Sequence, residues 1–396
     1  MSPSLETGFR LRPVSNLTVE LPFSKSICIR ALVWQFLNQR PLTTPNEQDA
    51  DDIRITYQAL STVHQHLNSE EKIFIPVHVG DCGAAYRFLM AALAITPGHW
   101  LLTGSERLLQ RPITKLVTAL QDIGADIVPA PNGWHITGKT LHAQQIVIDG
   151  SESSQYISAL LLIAKHIGNP AITYQRSTQP SEPYITMTEK LIMQLDSSDR
   201  FVLERDWSAA IFWYAFCTLG GAQQILLKGL TLPSIQGDAI IAQWFEEFGV
   251  STTPTDNGIV IRKTEKPLRP EYHLHLINHP DLAPVLTAMA TMLPIRLTLT
   301  GLRNLNIKES NRKQLLFSDL SSITTIQSLD DDTLIIDGTK DWTATKHLHF
   351  DAHDDHRLVM AYSLLAFKHT ISIAGADCVK KSYPQFAEGL GKVWAN

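Results

Sequence analysis

Apolar and polar positions alternate along this chain in two recurring ways. Short polar or glycine-containing loops open apolar helical stretches at six places: Ser24-Lys-Ser, Gly80-Asp-Cys-Gly, Ser151-Glu-Ser-Ser-Gln, Asp206-Trp-Ser, Pro280-Asp-Leu and His353-Asp-Asp-His-Arg. Counted from Ser24 to Asp81, Ser151, Asp206, Asp281 and Asp354, the steps are 57, 70, 55, 75 and 73 residues, close to one sixth of the 396-residue chain. Between these starts, a short apolar strand runs into a polar loop and an amphipathic helix. Leu116-Val-Thr-Ala-Leu120 and Ile240-Ile-Ala-Gln-Trp-Phe245 are the clearest cases, and Gly124 and Gly249 follow them where a helix C-terminal cap belongs. Trp134-His-Ile-Thr, Gly258-Ile-Val-Ile-Arg and Thr333-Leu-Ile-Ile-Asp read as strands.

Six copies of one unit with two helices and several strands predict an α/β protein of two pseudo-threefold lobes. Each lobe holds three βαβαββ-type units, with helices inside a sheet shell and a cleft between the lobes. Residues 20–205 are expected to form one lobe, and 1–19 plus 206–396 the other, with hinges near 17–21 and 204–207. A chain of 396 residues is longer than one core usually serves, which agrees with that division. The net charge of −5 gives no general basic surface, so neither nucleic acid nor an anionic membrane is an expected partner. Four widely spaced cysteines (Cys28, Cys82, Cys217, Cys378) read as free thiols. The opening Met-Ser-Pro-Ser-Leu-Glu-Thr-Gly-Phe-Arg has no apolar core of a signal sequence, and a cytoplasmic protein is expected.

Charge changes the picture locally. Lys25, Arg30, Arg87, Arg111, Lys308, Arg312, Arg357 and Lys381 all fall on or just after loop-to-helix starts. Helix N-termini already favour anions, and Arg forks or Lys point charges strengthen that preference. Asn306-Ile-Lys-Glu-Ser-Asn-Arg312 is expected to place Lys308, Glu309 and Arg312 on the first turn of a helix. Lys308 and Arg312 would then share a face and hold an anion beside the Glu309 carboxylate. Seen alone, such a run also fits a solvated helix start with a local ion pair. Ser26, Ser153, Ser154, Gln155 and Tyr184 supply neutral donors, and Gly83 lets a backbone approach a ligand closely. Each serine alone fits an N-cap, but a cap needs only one hydroxyl, so the pair before Gln155 points to binding. His347, His349, His353 and His356 have metal-ligand chemistry but fit a solvated strand face better, and no metal is expected. Cys82 reads as a small buried side chain, its thiolate disfavoured by the adjacent Asp81.

With these residues marked, the sequence resembles the 5-enolpyruvylshikimate-3-phosphate synthase family. The resemblance is carried by motifs in order: Leu-Pro-Phe-Ser-Lys-Ser at 21–26 with Arg30, Gly80-x-x-Gly83 with Arg87, Gln110-Arg-Pro-Ile113, Gly150-Ser-Glu-Ser-Ser-Gln155, Pro183-Tyr-Ile, Gln236-Gly-Asp238, Pro280-Asp, Ile307-Lys-Glu-Ser-Asn-Arg312, Asp355-His-Arg357 and Lys381-Ser-Tyr-Pro384. It implies transfer of the enolpyruvyl group of phosphoenolpyruvate to the 5-hydroxyl of shikimate 3-phosphate by a monomer, with no metal or other cofactor. By resemblance, Ser26, Arg30, Ser153, Ser154, Gln155, Ser181, Tyr184, Asn304 and Lys308 bind shikimate 3-phosphate. Lys25, Asp81, Gly83, Arg111, Gln155, Arg312, Arg357 and Lys381 bind phosphoenolpyruvate. Asp281, Glu309 and Lys25 are the catalytic set: Asp281 takes the hydroxyl proton and Glu309 serves the methylene carbon.

The sequence departs from the family pattern at Cys28, Asp81, Ala84, Asn311 and Asp354, and two of these changes add negative charge near an anion pocket. Two rivals follow from the same residues. One is a UDP-N-acetylglucosamine enolpyruvyl transferase, which usually carries a reactive cysteine on a glycine-rich loop, and 101–110 has none. The other is a non-catalytic relative that senses a phosphorylated metabolite, a role that needs neither Asp281 nor Glu309.

Overall fold

The computed structural model describes residues 5–67, 73–175, 179–198, 203–339 and 347–395. The first four residues of the N-terminal stretch lie outside the described residues. The chain divides into two compact units, one of Met1–Phe23 with Glu204–Asn396 and one of Ser24–Leu203.

In the larger unit, the helices Trp207–Thr218, Ala283–Ala290 and His356–Leu365 are buried at every position. Helices apolar on all sides belong inside a protein, and these three pack on one another. Sheets flank them. Val14–Glu20 pairs in parallel with Ala222–Lys228, then Gly258–Lys263 and Val250–Thr255 follow antiparallel. Glu271–His275 pairs in parallel with Arg296–Thr300, then Leu334–Asp337 and Thr325–Ser328 follow antiparallel. His347–Asp351 and Thr370–Ala374 form a shorter parallel pair. Parallel neighbours need a long crossover, and the buried helices Ala283–Ala290 and His356–Leu365 supply it for the last two pairs. Alternating burial along Arg296–Thr300 and Leu334–Asp337 shows one face of that sheet turned to the core.

The smaller unit repeats the plan. Ile75–His78 and Gly98–Thr103 are parallel across the helix Gly83–Ile95, and Gly133–Gly138 and Asp126–Ala130 complete the same strand order. Gln145–Val147 and Ala171–Thr173 are parallel across Ser154–Ile163. Lys25–Leu37 packs against both Gly83–Ile95 and Ser154–Ile163.

All six polar loops named from the sequence do open helices, at Lys25, Gly83, Ser154, Trp207, Ala283 and His356. The amphipathic helices Thr114–Asp122 and Ile241–Glu247 end before Gly124 and Gly249, whose φ values of 94° and 76° are left-handed. One expectation is corrected. Lys308 and Glu309 are not on a helix: a 3₁₀ turn, Arg303–Ile307, ends before Lys308, and the helix Arg312–Leu320 starts later. Asn311 decides the start, because its side chain accepts the Gln314 N–H at 3.2 Å as an N-cap. Lys308 is extended (φ −81°, ψ −153°) and shares no helix face with Arg312.

Candidate active site

In the larger unit the side chains gather around Arg312, which is 1% exposed. Its Nε and Nη2 meet Asp355 at 2.8 and 3.1 Å, its Nη1 meets Asp281 at 2.9 Å, and Nη2 also meets Glu309 at 2.6 Å. One guanidinium thus holds three carboxylates from three chain segments. Asp355 is the N-cap of His356–Leu365: it accepts the Arg357 N–H at 3.0 Å and the Ser310 hydroxyl at 2.8 Å. Arg357 reaches Asp281 at 3.4 Å and the Ser208 carbonyl at 2.9 Å, and Lys308 lies 3.7 Å from Asp281.

The electrostatics follow from this crowding. Burial pushes the Asp281 carboxyl up, but Lys308, Arg357 and Arg312 outweigh it and hold the group well below the usual carboxylate range. Burial pulls Arg312 down, and Asp355, Glu309 and Asp281 more than reverse that, so it stays charged. Asp281 sits on the short turn Pro280–Leu282, ahead of the buried helix Ala283–Ala290. Behind that turn, Asp238 accepts the Ser208 hydroxyl at 2.5 Å and lies 3.2 Å from His279 Nδ1. One buried carboxylate therefore braces both the residue before Pro280 and the residue whose carbonyl takes Arg357. Asn304 lies on the 3₁₀ turn before Lys308, and Lys381 ends the 3₁₀ turn Ala376–Lys381.

In the smaller unit a second group of cations stands at helix starts. Lys25 opens Lys25–Leu37 and pairs with the buried Asp52 at 2.9 Å. Arg87 donates to the Gly83 carbonyl at 3.0 Å, the Gln155 side-chain oxygen at 3.2 Å and the Pro112 carbonyl at 2.9 Å. Burial and the neighbouring charge of Arg111 push Arg87 down to about 10. Gly83 is where these two arginines meet: a Cβ there would lie 2.6 Å from Arg111 Nη1 and 2.9 Å from Arg87 Nη1. The Asp81 carboxylate accepts a hydrogen bond from the Ser105 hydroxyl. Ser153 caps Ser154–Ile163 through the Gln155 N–H at 3.2 Å, so Ser154 is the serine that capping does not use. Ser181 precedes Glu182–Ser197 in a left-handed conformation (φ 56°), and its carbonyl accepts the Tyr184 N–H at 3.0 Å. Arg30, 2% exposed, is turned to Thr188 at 2.7 Å, the Ser26 carbonyl at 2.8 Å, Ser158 at 3.3 Å and the Tyr184 carbonyl at 3.5 Å, and burial pushes it down to about 9. It ties three helices together.

Three further acids belong to these clusters without having been picked as site residues from the sequence, whereas Arg87 was marked there as a cation at a helix start but given no ligand. Asp355 and Asp238 stood inside quoted motifs, and Asp52 carried only its place at a helix start. Cys82 is buried as expected, but the acid that disfavours its thiolate is Asp52 rather than Asp81. His347 and His349 stack at 4.1 Å, and among the described residues no group of three or more His, Cys, Asp or Glu could hold a metal. Among those residues, too, no helix is long and apolar enough to cross a membrane.

The family described as EPSP synthase (3-phosphoshikimate 1-carboxyvinyltransferase) matches residues 13–198 and 193–390. A 3-phosphoshikimate 1-carboxyvinyltransferase of Bacteroides fragilis is 33% identical over 399 residues, covering 95% of this chain and 94% of its own. One from Photobacterium profundum is 28% identical, covering 97% and 98%. Among solved structures, EPSP synthase from Acinetobacter baumannii has a TM-score of 0.71 at 19% identity, with 98% of each chain covered. The enolpyruvyl transferase NikO from Streptomyces tendae has a TM-score of 0.66 at 13% identity, with 98% and 97% covered. These two show the shared two-lobe α/β fold, and the sequence matches along almost the whole length carry the assignment: the chain belongs to the EPSP synthase (3-phosphoshikimate 1-carboxyvinyltransferase) family.

Proposed function

We propose that this protein transfers the enolpyruvyl group of phosphoenolpyruvate to the 5-hydroxyl of shikimate 3-phosphate and releases phosphate. The observation that carries the chemistry is the pair Asp281 and Glu309, two carboxylates held by N–H groups of one buried guanidinium. Addition puts a proton on the methylene carbon while the hydroxyl oxygen, losing its own proton, bonds to the neighbouring carbon. Elimination then expels phosphate as the methyl carbon loses a proton. One carboxylate near each proton is the smallest set that performs both steps, and positioned acids and bases of this kind contribute roughly 10² to 10⁴ in rate.

In the larger unit, Asp281 takes the hydroxyl proton and Glu309 serves the methylene carbon. Arg312, Arg357 and Lys381 hold the anionic groups of phosphoenolpyruvate, and Asn304 and Lys308 contact shikimate 3-phosphate. The cations also stabilise charge on the departing phosphate. In the smaller unit, Ser153, Ser154, Gln155, Ser181, Tyr184 and Ser26 serve shikimate 3-phosphate, with Arg30 ordering Ser26 and Tyr184 from behind. Lys25, Arg111, Gln155 and the Gly83 backbone serve phosphoenolpyruvate, with Asp81 beside them. Buried cysteines outside any disulfide, at Cys28, Cys82 and Cys217, support a cytoplasmic setting, and the protein acts as a monomer.

The test is phosphate release by purified protein given both substrates, with each substrate alone as control and the product weighed by mass spectrometry. Release only with both, and a product heavier than shikimate 3-phosphate by one enolpyruvyl group, is the expected result. Binding of shikimate 3-phosphate without release would make the protein a sensor instead.

A further inference from the structure

The Gln155 side chain is an amide, with an acceptor at one end and two donor hydrogens at the other, and the end that meets a ligand decides what it can bind. Its Oε1 accepts an N–H of Arg87 Nη1 at 3.2 Å. A guanidinium only donates, so the flipped amide would set donor against donor. Arg87 is 2% exposed and fixed on further sides: Nη1 also donates to the Gly83 carbonyl at 3.0 Å, Nη2 donates to the Pro112 carbonyl at 2.9 Å, and its guanidinium carbon lies 5.7 Å from the centre of the Tyr156 ring. The Tyr156 hydroxyl donates to the same Pro112 carbonyl at 2.6 Å, which ties the helix Ser154–Ile163 to that point. The backbone end of Gln155 is held as well, its N–H donating to Ser153 Oγ at 3.2 Å. Among the described residues Gln155 Nε2 donates to none, and the side chain is only partly buried, so a ligand can take its hydrogens.

We propose that Arg87 is a positioning residue that commits Gln155 to donate to an anionic oxygen of phosphoenolpyruvate. Arg87 meets the substrate by way of that amide. The choice of substrate follows from the linkage: the same Nη1 that holds Gln155 also holds the Gly83 carbonyl, and a Cβ on Gly83 would stand 2.6 Å from Arg111 Nη1. The amide is thereby joined to the spot where Gly83 and Arg111, both read as phosphoenolpyruvate ligands, come together. Anionic oxygens need donors, and Nε2 supplies them where an outward Oε1 would repel. Pushed down only to about 10, Arg87 keeps its charge at neutral pH and with it the donors that hold the amide. The inference rests on the reading of Gln155 as a phosphoenolpyruvate contact.

The experiment is steady-state kinetics of the full chain, each substrate varied in turn, on Gln155→Glu, Arg87→Lys, Gln155→Ala and the double variant of the last two. Gln155→Glu gives Arg87 a carboxylate to hold, so its thermal midpoint should not fall, but it sets an oxygen where Nε2 stood. KM for phosphoenolpyruvate should then rise by about tenfold or more, and KM for shikimate 3-phosphate should stay within about threefold. Arg87→Lys keeps the charge but lacks the planar fork that reaches Gln155 and Pro112 together. It should raise KM for phosphoenolpyruvate by about five- to tenfold with kcat within about threefold, the pattern of lost binding rather than lost chemistry. In the Gln155→Ala background the same Arg87→Lys change should add less than about twofold, because the contact it works through is gone. A wild-type KM for phosphoenolpyruvate in Gln155→Glu, a test that leaves Arg87 intact, would overturn the positioning role. So would an Arg87→Lys effect as large without the Gln155 side chain as with it. Either result, with turnover proceeding, leaves the transferase reading in place. Absence of both turnover and phosphoenolpyruvate binding in the wild type would remove that reading and the inference together.

Discussion

Arg312 and Asp355 meet as a two-point pair, Nε to Oδ2 at 2.8 Å and Nη2 to Oδ1 at 3.1 Å, with side chains 1% and 0% exposed. A fork of this kind fixes the plane of the guanidinium and so aims its remaining N–H groups at Asp281 and Glu309. Removing one partner of a buried pair leaves the other charged and unpaired, which typically costs about 3–5 kcal/mol. Asp355→Ala should lose stability of about that size in urea unfolding, since it also removes the cap of His356–Leu365. Asp355→Asn should lose less, and should raise KM for phosphoenolpyruvate more than it lowers kcat. An unfolding midpoint within error of the wild type for Asp355→Ala would contradict this account.

Asp281 gives a pH signature. Burial raises its carboxyl, but Lys308, Arg357 and Arg312 outweigh burial and hold it below its unfolded value of about 3.9. A carboxyl depressed by folding adds stability that is fully present above the unfolded value and lost as pH falls towards the folded one. The stability difference between wild type and Asp281→Asn should therefore be level from about pH 5 to 8 and shrink below about pH 4. Chemical unfolding at a series of pH values reads this directly. Turnover by Asp281→Asn should fall at least about a hundredfold at pH 7.

The parts of this architecture that depend on local pattern were legible in the sequence. Loops that begin helices carry capping residues such as Asp206 and Asp355, and strands such as Leu334–Asp337 alternate in burial. The two-lobe α/β class followed from counting such starts. What stayed hidden depended on competition between neighbours or on partners far along the chain. Asn311 won the cap over any earlier start, which put Lys308 and Glu309 in a link rather than on a helix face. Arg30 looks like any other cation at a helix start until Thr188 and Ser158, more than a hundred residues away, are seen to occupy its donors. Asp238 was visible only as part of a motif, because its partners Ser208 and His279 lie 30 and 41 residues away.

Gly83 allows a steric prediction. An added methyl would stand 2.6 Å from Arg111 Nη1 and 2.9 Å from Arg87 Nη1, inside the distance any real contact reaches, so the side-chain ends must move. The backbone itself tolerates alanine, as the first residue of the helix Gly83–Ile95. Gly83→Ala should therefore keep its thermal midpoint to within a few degrees while KM for phosphoenolpyruvate rises by about tenfold or more, a loss of about 1.4 kcal/mol. Steady-state kinetics with each substrate varied in turn separates the two effects. An unchanged KM for phosphoenolpyruvate would mean that the two arginines do not meet that substrate.

Cys82 tests whether the chemistry runs through a thiol. Its sulfur accepts the Ala85 N–H at 3.4 Å and so caps Gly83–Ile95. Burial, then the charge of Asp52, pushes the thiol up to about 12, against smaller opposing effects from the Ala85 N–H, Lys25 and Thr56. Reaction with alkylating reagents needs the thiolate, which is scarce for such a group near neutral pH. Iodoacetamide at about pH 8 should leave Cys82 unlabelled in the folded protein and activity intact, with peptide mass spectrometry locating any label. Cys82→Ser should be at least as stable as the wild type, because a hydroxyl is the better cap, whereas Cys82→Ala should lose about 0.5–1 kcal/mol. Labelling of Cys82 in step with loss of turnover would instead argue for a cysteine-dependent transferase.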